Sequence, residues 1–158
     1  MRLLLIVASI AGAVLVASLI PGPYSSVTEA VAPNTPLLGS AHFNSASTAA
    51  MTVACHNCHS NQTHWPWYSR VAPLSWLIRR DVSQGRQFLN FSQWAAYGAA
   101  GQSQLSVLAA EQIKLGKMPP QRYLLLHPEA RLTDQERSGL VQAFEQEAAR
   151  LAVQSTHQ

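Results

Sequence analysis

The chain is 158 residues long, with 47% apolar and only 12% charged residues, a composition that excludes a disordered polypeptide. Eleven Lys and Arg against eight Asp and Glu give a formal charge of +3, but no basic helix or stripe accompanies it, so a pI near 9.2 gives no support to nucleic-acid binding. The length fits one small domain of about 115 residues behind an N-terminal appendage, and such a domain buries only about 65% of its unfolded surface.

Arg2 precedes Leu3 to Ile20, eighteen residues without a charge, interrupted only by Ser9, Gly12 and Ser18. Pro21-Gly22-Pro23 stops any helix there. The run is long for the core of a signal peptide and just long enough to span a bilayer. Ala11-Gly12-Ala13 lies inside the apolar run, and Ala30-Val31-Ala32 is followed by Pro33, so neither makes a good cleavage site. An uncleaved anchor over residues 1–20 therefore fits better than a removed leader, and in both cases the rest of the chain leaves the cytoplasm. Residues 21–40 are rich in Pro, Ser, Thr, Asn and Gly and read as a flexible linker. The remaining chain reads as a domain over 41–153 and a polar tail over 154–158.

Ser45 to Ala54 is small and Ala-rich, a short helix running into Cys55-His56-Asn57-Cys58-His59. This stretch holds both cysteines of the chain, and C-x-x-C-H is the attachment signature of c-type haem. Each thiol adds across one vinyl group of the porphyrin, and the two-residue spacer matches the vinyl separation when the segment makes a helical turn. His59 then lies under the iron as proximal ligand. A disulfide would explain the cysteine pair but not His59. A zinc site drawing on Cys55, Cys58, His56 and His59 would be unusual, because zinc knuckles take their other two ligands from a distant pair. A thioredoxin-like pair expects a βαβ surround, which is not visible.

Trp65-Pro66-Trp67-Tyr68 and Pro73-Leu74-Ser75-Trp76 follow at once, with three of the four tryptophans. Trp65, Trp67, Tyr68, Pro73 and Trp76 are candidates for the wall of a haem pocket. Pro73 suits a first helical position, and Leu74, Leu77, Ile78 and Val82 make one apolar face while Arg79, Arg80 and Asp81 point elsewhere. Gly85 is expected to end or loosen that helix. Ser92 is expected to cap a short helix to Gly98, with Gly98 to Gly101 breaking the chain. Leu105, Leu108, Ala109, Gln112 and Ile113 define the next helix, closed by Gly116.

Lys117-Met118-Pro119-Pro120 cannot continue a helix, because a residue before proline is pushed extended. The stiff loop can hold a thioether inward, about sixty residues beyond His59, so Met118 is the favoured second iron ligand. His127, His64, His42 and an open site are the alternatives, and a Met filling a core gap is the plain reading. Tyr123 to Pro128 is expected to pack inward, with His127 in a structural hydrogen bond. His56, between the cysteines, is expected to face solvent, and His157 sits in the tail. Thr133-Asp134-Gln135-Glu136 is a capping box. Leu140, Val141, Phe144, Ala148 and Leu151 give the last helix one apolar face. No strand pattern appears, so the fold class is all-α.

The run from Cys55 to Trp76 resembles the haem-binding domain family of bacterial envelope proteins, a cytochrome c-like group. Further words agree in order: Asp81, Gly85-Arg86, Leu89-Asn90-Phe91-Ser92 with Trp94, Met118-Pro119, His127-Pro128-Glu129-Ala130 and Leu132-Thr133. The resemblance covers roughly residues 42–147. It implies a cytochrome c-like helical domain around one covalent haem c, with Cys55 and Cys58 as attachment points, His59 as proximal ligand and Met118 at the position of the family's methionine. It also implies attachment outside the cytoplasmic membrane, where an N-terminal membrane segment is common. The carbonyl of Pro73, or else of Pro66, is expected to accept the second His59 N–H.

The function expected is single-electron transfer in the bacterial periplasm or on the outer face of the cytoplasmic membrane, not catalysis. The partners expected are a redox protein or membrane oxidoreductase, and the membrane itself through residues 3–20. A haem enzyme or gas sensor with an open sixth site, such as a peroxidase, is the alternative; a non-redox accessory haem subunit is another.

Overall fold

A computed structural model describes residues 1–20 and 41–155, so the expected linker over 21–40 and the last residues of the tail lie outside the described residues. Seven α-helices are described: α1 (Arg2–Leu19), α2 (Ser45–Ala54), α3 (His56–His59), α4 (Leu74–Phe88), α5 (Gly98–Lys114), α6 (Gln121–Leu124) and α7 (Asp134–Ser155). Three 3-10 turns lie between them, at Trp67–Arg70, Phe91–Tyr97 and Pro128–Ala130. No strand occurs among the described residues, so the chain is all-α with an N-terminal apolar helix.

α1 has a mean hydropathy of 2.3 and buries nothing, and by length and composition it can cross a membrane. Its eighteen residues span about 27 Å, close to the thickness of a hydrocarbon core.

The domain is framed by α5 and α7, which pack along one another. α7 contributes Leu140, Phe144, Ala148 and Leu151, the spacing expected of its apolar face. Its start is the anticipated capping box: the Glu136 amide donates to Thr133 Oγ1 at 3.2 Å, and the Thr133 amide donates to Glu136 Oε2 at 2.8 Å. Phe43 meets Phe144 edge-on at 5.0 Å and brings α2 onto this pair. Met51, Phe91, Trp94, Ile113 and Leu124 continue the same core.

Several expected boundaries move. Gly98 to Gly101 does not break the chain but forms the first turn of α5, with Gly98 at a φ of +63° that suits glycine. α5 buries Gln102, Ser106, Ala110 and Ile113 and leaves Leu108 exposed, a face rotated from the expected one. The cap of the 3-10 turn before α5 is Asn90, whose side chain accepts from the Ser92 amide at 3.0 Å; Ser92 Oγ instead accepts from the Asn61 amide. Pro73 caps α4 rather than opening it. Gly116, at φ +66° just past the cap of α5, ends that helix as expected.

Candidate functional site

Cys55 both ends α2 and begins α3: its amide donates to Met51, and its carbonyl accepts from the amides of Cys58 and His59 at 3.2 and 3.0 Å. The five residues thus form one helical turn. The turn sits between two environments. Cys55 packs against the core cluster, whereas Cys58 lines a surface cleft. Both are free thiols. Burial, with the neighbouring Cys58, pushes the Cys55 thiol up to about 12; burial and Asp81 push Cys58 up to about 11. Both sulfurs are therefore held protonated. Among the described residues no three His, Cys, Asp or Glu side chains converge on one point, so the four-ligand zinc arrangement is not formed.

His59 Nδ1 donates to the carbonyl of Leu89 at 2.9 Å. This corrects the expectation that Pro73 or Pro66 would supply the acceptor. Both prolines lie at the start of helical turns, and their carbonyls are already taken: Pro73 by the amides of Trp76 and Leu77, Pro66 by the amide and hydroxyl of Ser69. Leu89 lies just past the end of α4 in extended conformation, so its carbonyl is outside the helical ladder. The bond fixes the tautomer and leaves Nε2 as the nitrogen for a metal. Burial depresses the basicity of the ring, against the pull of the Leu89 and Gly85 carbonyls, and so favours the neutral form that ligation requires.

Gly85 does not end α4. It lies inside the helix, where a Cβ would stand 2.6 Å from the Cys58 carbonyl oxygen. Only glycine lets α4 lie this close against the attachment turn. The next residue, Arg86, donates from Nε to the Ser60 carbonyl at 2.8 Å and from Nη2 to Thr63 Oγ1 at 2.9 Å. Thr63 Oγ1 in turn donates to the Asn57 carbonyl. Asn57 Oδ1 accepts from the His64 amide at 3.0 Å, and its Nδ2 donates to Tyr123 Oη at 3.1 Å. Gly85, Arg86, Asn57 and Leu89 hold the turn in place, a role the sequence alone assigned to none of them. The Gly85-Arg86 and Leu89-Asn90 words, recurring beside the attachment motif, were the available signal.

A shallow cleft of about 90 Å³ lies beside Cys58, between α4 and the segment around α6. Leu74 and Leu77, each 39% exposed, line it together with Ile78, Val82 and Leu126. Burying a Leu side chain is worth roughly 1.5–3 kcal/mol, so an apolar wall left this open fits an apolar guest. Asp81 does not point away: it lines the cleft and forms a bidentate pair with Arg122 at 2.9 Å.

Of the aromatic candidates, Tyr68 lines the cleft. Trp67 is 79% exposed, and Trp65 lies under the Arg79 guanidinium at 5.2 Å. Trp65, Trp67, Pro73 and Trp76 are not among the cleft-lining residues. Met118 is half-buried in the loop after α5, its amide donating to Gln112 at 3.3 Å, and it packs against the cluster that holds Cys55 and Phe91. The Phe91 ring is itself 5.9 Å from His59. Cys55, His59 and Met118 are not among the cleft-lining residues. His127 has both ring nitrogens engaged, one with Tyr68 and one with Glu129. His64 and His42 are exposed, and His56 is half-buried rather than fully in solvent. Leu124 packs inward as expected of its segment, but Leu125 and Leu126 are exposed.

Two thiols on one turn, an imidazole with its tautomer fixed and an apolar wall beside Cys58 together fit a haem. The model of the haem-binding domain family matches residues 13–146, most of the chain. No curated protein and no solved structure matches it significantly.

Proposed function

We propose that this chain, which belongs to the haem-binding domain family and is a haem-binding protein, carries one haem c and passes single electrons on the outer side of the bacterial cytoplasmic membrane. Cys55 and Cys58 would hold the porphyrin by thioethers, and His59 Nε2 and Met118 would be its iron ligands. α1 anchors the domain. When bound, the group supplies a one-electron redox centre.

The observation that carries the reading is the Cys55–His59 turn with His59 Nδ1 held by Leu89. The protein's own part is positional. Leu89 orients the imidazole, Gly85 admits α4 against the turn, and Arg86 with Thr63 pins the chain that leaves it. Met118, fixed ahead of two prolines, offers a soft neutral donor that raises the potential relative to a second histidine. With His59 and Met118 both ligating it, the group would favour outer-sphere electron transfer over reaction with a small substrate. A peroxidase-like site would instead need a free acid–base group, and His127 is bonded at both nitrogens.

The test is a pyridine haemochrome assay on purified protein matured in a competent host, after extraction with acidified acetone. One covalent haem per chain and a low-spin six-coordinate spectrum are expected. A colourless extracted polypeptide overturns the covalent assignment. A high-spin spectrum with rapid peroxide turnover overturns the electron-transfer role.

A further inference from the structure

The far end of α1 touches the domain. The Ser18 hydroxyl, one residue before the end of α1, donates to the Val14 carbonyl at 2.7 Å and accepts from the Ala72 amide at 3.0 Å. Ala72 is 3% exposed, and a buried backbone amide needs an acceptor. The domain thus finds the partner for one of its own buried amides on the apolar helix. Val14, Ala17 and Ser18, spaced for one face of α1, are half-buried, whereas the other residues of α1 are exposed. The chain on either side of Ala72 carries Trp65, Trp67 and Trp76 together with Arg70, Arg79 and Arg80, and no acidic residue from Trp65 to Arg80. Trp67 is 79% exposed, Arg70 and Arg80 are exposed, and the Arg79 guanidinium lies over Trp65 at 5.2 Å.

We propose that the Trp67–Arg70 turn and the start of α4 form a lipid-docking face, which seats the domain on the bilayer that α1 spans. Trp67 lies among the headgroups, and Arg70 and Arg80 pair with the phosphates of anionic lipid. The proposal rests on α1 being a membrane anchor and is independent of the haem. The Ser18–Ala72 contact sets the depth. α1 spans about 27 Å against about 30 Å of hydrocarbon, so Ser18 stands at the boundary of the core. The headgroup layer beyond it is about 5–7 Å thick, and the four-residue Trp67–Arg70 turn is about 8 Å long. That turn stays beside Ala72, because the Val71 amide donates back to the Tyr68 carbonyl at 3.1 Å, and α4 leaves from the same place, with the Ser75 amide on the Val71 carbonyl at 2.9 Å. An indole has an apolar ring and a polar N–H, and the headgroup layer serves both. A guanidinium matches a phosphate with two parallel donors. Asp81, the next residue after Arg80, does not oppose an anionic surface, since Arg122 neutralises it. Tyr68 belongs to the docked turn and lines the cleft beside Cys58, so docking holds that cleft next to the bilayer.

The experiment is photocrosslinking of the full-length chain reconstituted in vesicles of phosphatidylcholine with phosphatidylglycerol. The photoreactive residue benzoylphenylalanine replaces Trp67, an exposed position where the fold tolerates it, or Leu108, an exposed position on α5 that serves as the control. Mass spectrometry is expected to find a lipid adduct at position 67 and little at 108. Arg70→Gln with Arg80→Gln, or vesicles of phosphatidylcholine alone, are expected to lower the adduct at 67 severalfold, since one arginine near an anionic surface is worth about fivefold in binding. Ser18→Ala is expected to lower it too and to speed hydrogen exchange of the Ala72 amide. Equal lipid adducts at 67 and 108 overturn the proposal, because the domain then tumbles freely above the bilayer. So does a protein adduct at 67 in place of a lipid one, which would make the face a protein interface, or a yield that ignores both the arginines and the anionic lipid. Alkaline extraction of the same vesicles separates the two readings: a chain that stays with the membrane but gives no lipid adduct at 67 sinks the docking alone, and a chain released to the supernatant sinks the anchor and the docking with it.

Discussion

His59 Nδ1 sits 2.9 Å from the carbonyl oxygen of Leu89, thirty residues further along the chain. The contact ties the Cys55–His59 turn to the end of α4. It exists because Leu89 is the first residue beyond the helix, extended and buried, with a carbonyl the helix does not use. Asn90 supports it from the next position: its side chain donates to Asn61 Oδ1 at 2.8 Å and accepts from the Ser92 amide. His59 and the helix that orients it therefore form one unit, and disturbing their packing is expected to disturb the candidate site.

Gly85→Ala tests that packing. In an ordinary helix interior this change stabilises by roughly 0.5–1 kcal/mol. Here the new Cβ meets the Cys58 carbonyl oxygen at 2.6 Å, a backbone atom that cannot swing aside. Overpacking of this kind costs about 1–3 kcal/mol, and the clash outweighs the propensity gain. A lower melting temperature and a smaller fraction of chains carrying covalent haem are expected. A variant at least as stable as the parent, with full haem content, would show that α4 does not bear on the turn.

Met118→Ala tests the distal ligand. The variant is expected to keep its covalent haem, lose six-coordinate low-spin character, shift to lower potential and bind carbon monoxide when reduced. An unchanged absorption spectrum and potential would make Met118 a filler of the core and would return the distal position to another residue.

The parts of the molecule that follow from local chemistry were legible in the sequence. The capping box at Thr133, the buried stripe of α7 and the stop at Gly116 each depend on residues within a turn or two. The helical turn over Cys55–His59 was legible for the same reason. What was missed depends on distant segments meeting. Nothing near His59 says that its partner is Leu89, and Gly85 reads as a helix breaker until α4 is seen against Cys58. Asp81 reads as a solvent-facing charge until Arg122, forty-one residues on, closes over the cleft. Trp67 misleads in the other direction, since density of aromatics in sequence does not decide which of them is covered.

Thr133→Ala isolates a local contribution. It removes the hydroxyl that accepts from the Glu136 amide and so exposes a helix-terminal donor. Loss of such a cap costs typically about 1 kcal/mol. Chemical denaturation is expected to show a lower midpoint with an unchanged slope, and no change in the visible spectrum, since the cap lies outside the candidate site. A spectral change would mean that the start of α7 reaches the haem.

Glu147 gives the expected dependence on acid. The side chain is 2% exposed and forms a bidentate pair with Arg150 at 2.8 and 2.7 Å. Burial pushes the carboxyl up, but the Arg150 guanidinium and the backbone of His42 more than offset it, so the native value lies below the ordinary glutamate range. A group depressed on folding contributes stability above its unfolded value and loses that contribution as pH falls through the native one. Arg150 is 29% exposed, so solvent screens the pair, and a contribution of about 1–3 kcal/mol is expected rather than the 3–5 of a fully buried one. Glu147→Gln should therefore be less stable than the parent at neutral pH, and the gap should close below about pH 4. Thermal unfolding of both chains across that range checks the sign: a gap that is constant or widens in acid would mean that the carboxylate charge contributes nothing to holding α7 in place.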